Sequence, residues 1–414
     1  MESIANIQPN TKLNWLAKRC RDLVFNALSK LQSDCVEIVE GNTVHTFGNK
    51  RNEGGKSPLI GKIYIKDASA YVDFVKGGSI GVAEAFIEHK WHSPNLTDVI
   101  RIFARAQQVT DNIDSKKSLL SKIKNHIFHR LNRNSHSGSK KNIVAHYDLG
   151  NELYTRFLDK TMMYSSAIYP SSDATLEQAQ VHKLDTICQR LELTDKDHVV
   201  EIGTGWGGLA VHMAKNYGCR VTTTTISEEQ YDYAKTQVEQ AGLGHLVTLL
   251  KEDYRNLEGQ YDKLVSIEMI EAVGYEYMQS FFEQCHSLVK PNGKMLIQAI
   301  TIADQRLDHY LHNVDFIQRY IFPGGFLPSI TLLSQQICQH TNMVIEQLDD
   351  IGLDYAKTLA HWRDNFLANW SEINKHGYDD NFKRLWLYYF AYCEGAFLER
   401  ATSTVHLVAR KPSF

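Results

Sequence analysis

The chain has 414 residues, of which 43% are apolar and 22% charged, with a formal net charge of −3. That length exceeds what one compact core holds and predicts two domains. The near-neutral charge, with no stacking or recognition module in sight, argues against a nucleic-acid partner.

Seven cysteines (Cys20, Cys35, Cys188, Cys219, Cys285, Cys338 and Cys393) are scattered without a C-x-x-C pair. This suggests neither a zinc site nor a disulfide framework, and predicts a reducing compartment. The opening MESIANIQPN shows no positive segment followed by an apolar one, and no run of about 18 apolar residues occurs. The expectation is a cytoplasmic protein that can still visit a membrane surface.

Residues 1–114 predict a small α+β domain. "GKIYIKDASAYVDFV" alternates like half-buried strands, and "GGSIGVAEAFIEHKWHSPNL" reads as a turn, a short helix and a proline stop. Residues 115–142 form a basic stretch. Within 115–141 there are eight Lys or Arg and no acid, and Leu119, Leu120, Ile123, Ile127, Phe128 and Leu131 fall near helical spacing. Two readings stand: a solvated interdomain linker, or a basic amphipathic segment that touches an anionic membrane surface.

Residues 143–414 alternate strand and helix. "HVVEIG" is an apolar strand and "GWGGLAVHMAKNYG" a helix ending at Gly218. "RVTTTTI" is a β-branched strand, followed by the helix "SEEQYDYAKTQVEQAG", in which Ser227 and Gln230 have capping-box spacing. "LVTLLKED", "KLVSIEM" and "KMLIQAITI" continue the strands, and "TSTVHLVAR" adds an antiparallel edge strand. The rhythm predicts an α/β fold with a parallel, Rossmann-like doubly wound sheet.

The turn "EIGTGWGG" follows a strand and opens a helix, and Gly203, Gly205 and Gly208 satisfy G-x-G-x-x-G. Such a turn lets a ligand approach the backbone closely. A dinucleotide would want an acid about 20 residues on, at the end of the second strand. A threonine stands there, so NAD is disfavoured. Glu201 instead precedes the glycines, as in the E-x-G-x-G-x-G pattern for S-adenosylmethionine (SAM), whose ammonium group needs an acidic neighbourhood. Further on, "SIEMIEAVG" places Glu268 and Glu271 inside an apolar run. Burying an unpaired carboxylate costs several kcal/mol, so these acids need partners or a task.

"HYDLGNELYTRFLD", "MMYSSAIY", "VVEIGTGWGGLA", "TTISEEQ", "DYRNLEGQYDKLVSIEMIEAVG" and "QRYIFPGGFLPS" resemble the cyclopropane-fatty-acyl-phospholipid synthases, and the last two stretches look especially like the plant-type catalytic portion. The resemblance covers most of 143–414, and "GSIGVAEAFIEHKWHSPNL" resembles the family's small lead domain. It implies a class I SAM-dependent methyltransferase. The substrate would be the cis double bond of an unsaturated acyl chain in a membrane phospholipid. Methyl transfer gives a carbocation, and a bound bicarbonate removes a proton so that a cyclopropane ring closes. Rival readings are a methyl- or methylene-branched product, a non-catalytic lipid-binding protein, and a small-molecule methyltransferase.

Carried over position by position, the resemblance gives Glu271 the hydrogen bond to bicarbonate, Tyr355 a hydroxyl contact to it and Ile300 a backbone N–H. Gln298 stands where many members have a histidine, and Ser166 where bacterial members have cysteine. Cys393 matches a cysteine long assigned to the active site, though a buried structural role also fits it. Glu268 either lines the SAM side or pairs with a cation. For SAM, Tyr164 and Ser165 approach the methionine end, Glu201, Gly203 and Gly205 hold the amino acid and the turn, Thr225 and Gln230 meet the ribose, and Asp253 and Tyr254 meet the adenine. Tyr310, Phe316, Tyr320, Phe322, Phe326 and Phe366 are core residues or walls of an acyl channel. A homodimer stays open, since no interface is legible.

Overall fold

The computed structural model describes residues 14–49, 58–106 and 150–413. The basic stretch 115–142 lies outside them. The described residues divide into two compact units, one of 14–49, 58–106 and 377–399, the other of 150–376 and 400–413.

The first unit is α+β. Its sheet runs β2 (Thr43–Gly48), β1 (Cys35–Glu40), β3 (Ile60–Ile65), β4 (Trp91–His92). Strand β3 alternates exposed and buried residues, as its sequence predicts. The following "AYVDFV" does not continue as strand. It opens the helix Ala70–Ile87, which breaks at Gly78 (φ 57°). The predicted turn at Gly77–Gly78 is thus a kink inside a helical segment.

The helix Asp380–Leu398 also belongs to this unit, whereas the sequence reading grouped all of 143–414. Polar contacts explain the assignment. Thr97 Oγ1 donates to Glu394 Oε2 (2.8 Å), Arg101 and Arg105 each pair with Glu399 at 2.7 Å, and Arg384 donates to the carbonyls of Phe86 and Trp91. Contacts nearly 300 residues apart leave no local sequence signal.

The second unit carries a seven-stranded sheet in the order β10-β11-β9-β8-β5-β6-β7. Strands β5 (His198–Ile202), β6 (Arg220–Thr224), β7 (Val247–Leu250), β8 (Tyr261–Ile267) and β9 (Val289–Ile302) are parallel, and β11 (Thr402–Arg410) is antiparallel to β9. The predicted Rossmann-like sheet is present. Strand β11 is not at the edge, however. β10 (Val344–Asp350) pairs outside it, and its sequence VIEQLDD is too polar to read as a strand.

The strand order reverses between β5 and β8, and ligands in open α/β sheets bind at the carboxyl ends beside such a switch. The turn after β5 sits there. Gly208 opens the helix Gly208–Tyr217, and a Cβ on it would stand 2.2 Å from the Thr161 carbonyl oxygen. Gly208→Ala is expected to destabilise the fold by about 1–3 kcal/mol through this overlap. Gly244→Ala, which meets nothing within 4 Å, should change little. Chemical denaturation of both variants checks this, and equal stabilities would refute the close approach.

Candidate active site

Of the residues that the resemblance gives to SAM, Glu201, Gly203, Gly205, Thr225, Gln230, Asp253 and Tyr254 lie at or just past the carboxyl ends of β5, β6 and β7, which are neighbours in the sheet. Gly203, Gly205 and Gly207 have φ of 100°, 53° and 89°, the left-handed region that glycine enters without strain. A Cβ on Gly205 would meet nothing within 4 Å, so a cradle lies open beside the turn. Glu201, near the end of β5, is 2% exposed and accepts a hydrogen bond from the Thr223 hydroxyl (2.6 Å). Burial pushes its carboxyl up to about 8, against the pull of Thr223 and Lys183. A buried acid with this proton affinity gains by meeting an ammonium group. Turn, open space and acid together fit SAM.

Past β6, the Thr225 hydroxyl donates to Gln230 Oε1 (2.9 Å), and Ser227 caps the helix Glu228–Gln240 through the Gln230 N–H. The capping box is therefore half formed, because the Gln230 side chain turns to Thr225. After β7, Asp253 accepts from the backbone N–H and Nε of Arg255 at 3.0 and 2.8 Å. Its carboxylate is partly engaged before any adenine arrives. The Tyr254 ring packs edge-on against Phe281, with centroids 5.5 Å apart.

The acids after β8 form the second half of the site. Register brings them together: Ile267 lies beside Gln298 of β9, so Glu268 begins at the strand's end facing that glutamine. Glu268 Oε1 accepts from the Ser166 backbone N–H (2.9 Å) and Gln298 Nε2 (2.7 Å), and Oε2 accepts from the Tyr355 hydroxyl (2.8 Å). Glu271 Oε1 accepts from the Ile300 N–H (2.5 Å), while its Oε2 is buried without a partner. Burial, and then the neighbouring Glu268 charge, push the Glu271 carboxyl up to about 8. Burial also raises Glu268, against its three donors and Lys183.

The structure thus brings Ser166, Gln298 and Tyr355 onto Glu268, and Ile300 onto Glu271, whose carboxyl feels the Glu268 charge. It gives Glu268, not an added anion, the contacts with Ser166, Gln298 and Tyr355. A carboxylate offers about four lone-pair sites and no donor. Bicarbonate placed among these groups would find three of its donors engaged and two carboxyls beside it, so the residues present do not fit it. Cys393 belongs to the first unit, on the helix Asp380–Leu398, rather than to the unit that carries the acids.

Sequence reasoning missed three supporting groups. Lys183, fully buried on the helix Leu176–Arg190, donates to Ser165 Oγ (2.9 Å). Burial lowers its ammonium to about 8, while the charges of Glu268, Asp159 and Glu201 work against the loss of its proton. His406 of β11 bonds Gln298 Oε1 through Nε2 (2.8 Å), and Arg190 Nη1 meets His406 Nδ1 (2.5 Å). Burial and Arg190 hold His406 well below the usual histidine range, so it is neutral. With the guanidinium on Nδ1, the ring proton sits on Nε2 and donates to Gln298, which aims the glutamine amide at Glu268. A buried lysine or histidine in an ordinary helix or strand carries no motif.

Aromatic rings stand close by. Trp362 contacts Tyr164 (5.2 Å between centroids) and Tyr355 (6.0 Å), and Tyr164 also contacts Phe322 (6.4 Å). Tyr310 and Phe326 pair at 6.0 Å, and the Phe326 N–H donates to the Glu271 carbonyl.

The raised Glu271 pKa has a thermodynamic sign. Between the ordinary value of 4.5 and about 8, the folded chain keeps a proton that the unfolded chain has released. This group's contribution to stability is complete below 4.5 and is lost as pH rises towards 8. Glu271→Gln should remove that loss, so its melting temperature should fall less between pH 5.5 and 8, by about 2 °C or more. Thermal unfolding followed across pH tests this, and parallel curves for the two proteins would contradict it.

Comparison with known proteins gives the family. A profile of the family described as mycolic acid cyclopropane synthetase matches residues 134–407. The chain is 36% identical over 352 residues to the tuberculostearic acid methyltransferase UfaA1 of Mycobacterium tuberculosis, covering 83% of this chain and 82% of that one. It is 37% identical over 341 residues to the cyclopropane-fatty-acyl-phospholipid synthase of Escherichia coli K12, covering 82% and 85%. Among solved structures, the cyclopropane synthase MmaA2 from Mycobacterium tuberculosis superposes with a TM-score of 0.62 at 25% identity, over 66% of this chain and 98% of that one. The mycolic acid cyclopropane synthase CmaA1 complexed with SAH and CTAB gives 0.61 at 26%, with the same coverage. The chain belongs to the mycolic acid cyclopropane synthetase family of SAM-dependent methyltransferases.

Proposed function

We propose that the protein transfers a methyl group from SAM to the cis double bond of an unsaturated fatty acyl chain carried by a membrane phospholipid. The observation that carries this reading is the pair of buried acids beside aromatic rings at the sheet rim, next to an open glycine cradle. The alkene π pair forms a bond to the methyl carbon, and the S–CH3 pair stays on sulfur. This leaves S-adenosylhomocysteine and a carbocation on the other alkene carbon. Aromatic faces stabilise such a cation, and a pocket that excludes water keeps it from being trapped.

A base must then take one proton. If the proton leaves the new methyl, its C–H pair closes a cyclopropane ring. If it leaves a carbon next to the cation, a double bond re-forms beside a methyl branch, and loss from the methyl-bearing centre gives related alkenes. The Escherichia coli relative's name favours the ring, and we take ring closure as the main product. The 36% identity to an enzyme named for tuberculostearic acid favours the branch as the second reading.

No helix among the described residues is long and apolar enough to cross a membrane. The basic stretch 115–142 supports peripheral attachment to anionic lipid from the cytoplasmic side, each cation contributing roughly 1 kcal/mol near such a surface.

Expression in a host that lacks such enzymes tests the reading, with fatty acid methyl esters analysed by mass spectrometry. A gain of about 14 mass units, one CH2 per chain, is expected, without residual unsaturation for the ring and with it for the branch. Unshifted lipids from a SAM-binding protein would overturn the lipid assignment. Deleting residues 115–135 should weaken co-sedimentation with anionic vesicles at low salt and leave it unchanged at high salt. Equal pelleting of both chains at low salt would remove the attachment role.

A further inference from the structure

We infer that the Glu268 carboxylate is the resident base of this site, standing where relatives are expected to hold bicarbonate, so that the reaction here needs no added anion. The inference rests on the methyl-transfer reading and names the group that ends it.

Four observations carry it. First, Glu268 gathers three neutral donors from three distant parts of the chain: the Ser166 amide, the Gln298 side chain and the Tyr355 hydroxyl. These are the positions that the resemblance assigns to an anion. Second, the contacts are not those of an ion pair. Among the described residues, the partners of Glu268 and Glu271 are a backbone amide each, the Gln298 amide and the Tyr355 hydroxyl, with no salt bridge to either acid, and Lys183 Nζ donates to Ser165 Oγ. Lys183 acts on Glu268 through its field.

Third, the bonds leave a vacancy for a proton. Oε1 accepts twice and Oε2 once, so of about four lone-pair sites one remains, on Oε2. Fourth, Glu268 is held at φ 47°, in the left-handed region. For a residue other than glycine that conformation is costly and persists only where the surroundings enforce it. The Glu268 N–H bonds the Gln298 carbonyl (2.8 Å) and fixes the backbone in that state. Glycine would occupy the position without strain, so the side chain is present despite the backbone rather than because of it.

Glu271 has a different part. It accepts a single protein hydrogen bond and keeps one orphaned oxygen. Of two adjacent carboxyls, the one with more donors keeps the charge and the other the proton. Glu268 is therefore the carboxylate and Glu271 the neutral acid. In the final step, one C–H bond of the transferred methyl breaks, its electron pair forms the third ring bond to the cationic carbon, and the proton goes to Glu268 Oε2. Charge balances: a cation and a carboxylate become a neutral ring and a carboxylic acid, which later loses its proton to water.

The experiment uses the full chain, SAM and vesicles of unsaturated phospholipid, in buffer stripped of carbon dioxide and in the same buffer with bicarbonate. The wild-type rate should be equal in both. Glu268→Gln keeps the shape but removes the base and should lose about 10²-fold or more in kcat. Glu268→Gly opens the anion position, and bicarbonate should restore its activity by about tenfold or more.

A second readout does not depend on turnover. Titration with 13C-labelled bicarbonate in the presence of S-adenosylhomocysteine should show saturable binding to Glu268→Gly and none to the wild type. Stimulation of the wild type by bicarbonate, saturable binding to it, or full activity of Glu268→Gln would each overturn the inference. Should the wild type methylate no lipid in either buffer, the lipid reading fails, and the bicarbonate titration still decides whether Glu268 fills the anion position.

Discussion

The site is organised by the cost of burying carboxyl groups. Glu201, Glu268 and Glu271 lie deep at the rim of one sheet, and the cation buried among them is Lys183. Taking several like charges out of water together is prohibitive unless donors or protons compensate. Each acid answers this differently. Glu201 keeps one hydroxyl partner and waits for a cationic ligand. Glu268 collects three donors. Glu271 has one donor and so holds a proton. Desolvation raises all three, and three donors set Glu268 apart from Glu201 and Glu271, which accept one hydrogen bond each.

The same economy explains Gln298. A glutamine cannot carry positive charge, and in isolation it is a weaker anion partner than a histidinium. Here it is the last member of a chain that starts at a guanidinium. Arg190 bonds His406, His406 donates to the Gln298 carbonyl oxygen, and the Gln298 amide donates to Glu268. Hydrogen bonds in series polarise one another in a low dielectric. The charge thus acts from a distance, and Arg190 stays partly solvated beside Asp349. The fixed tautomer of His406 also prevents the Gln298 amide from turning its oxygen towards Glu268.

Much of the fold was legible, because local patterns determine it. The strand–helix rhythm of β5 to β9, the glycine turn and the Gly218 stop follow from periodicity and backbone freedom. The polar edge strand β10 was not legible, and neither was the membership of the helix Asp380–Leu398 in the first unit, since both depend on partners far along the chain. At the site, the resemblance found the residues but not their connections. Ser166, Gln298 and Tyr355 stand 102, 30 and 87 residues from Glu268. Only the β8–β9 register and the return of the helix Gly352–Ala368 show that they converge on it. Lys183 and His406 escaped notice because a buried charge in a regular element resembles a surface one until its burial is known.

A base built into the chain differs physically from one captured from solution. A diffusible anion pays the loss of its translational and rotational freedom at every binding event, on the order of 4 kcal/mol or more, and its occupancy follows its concentration. Glu268 meets that cost in folding, through a left-handed backbone worth roughly 1–2 kcal/mol and the desolvation of its carboxylate. In return the base is always present, and its carboxylate is held by three hydrogen bonds, from Ser166, Gln298 and Tyr355. Fixing also narrows what the base can reach. A tethered oxygen abstracts only the proton that the bound chain presents to it, so the choice between ring and branch falls on how the acyl chain is seated between Glu268 and the aromatic wall.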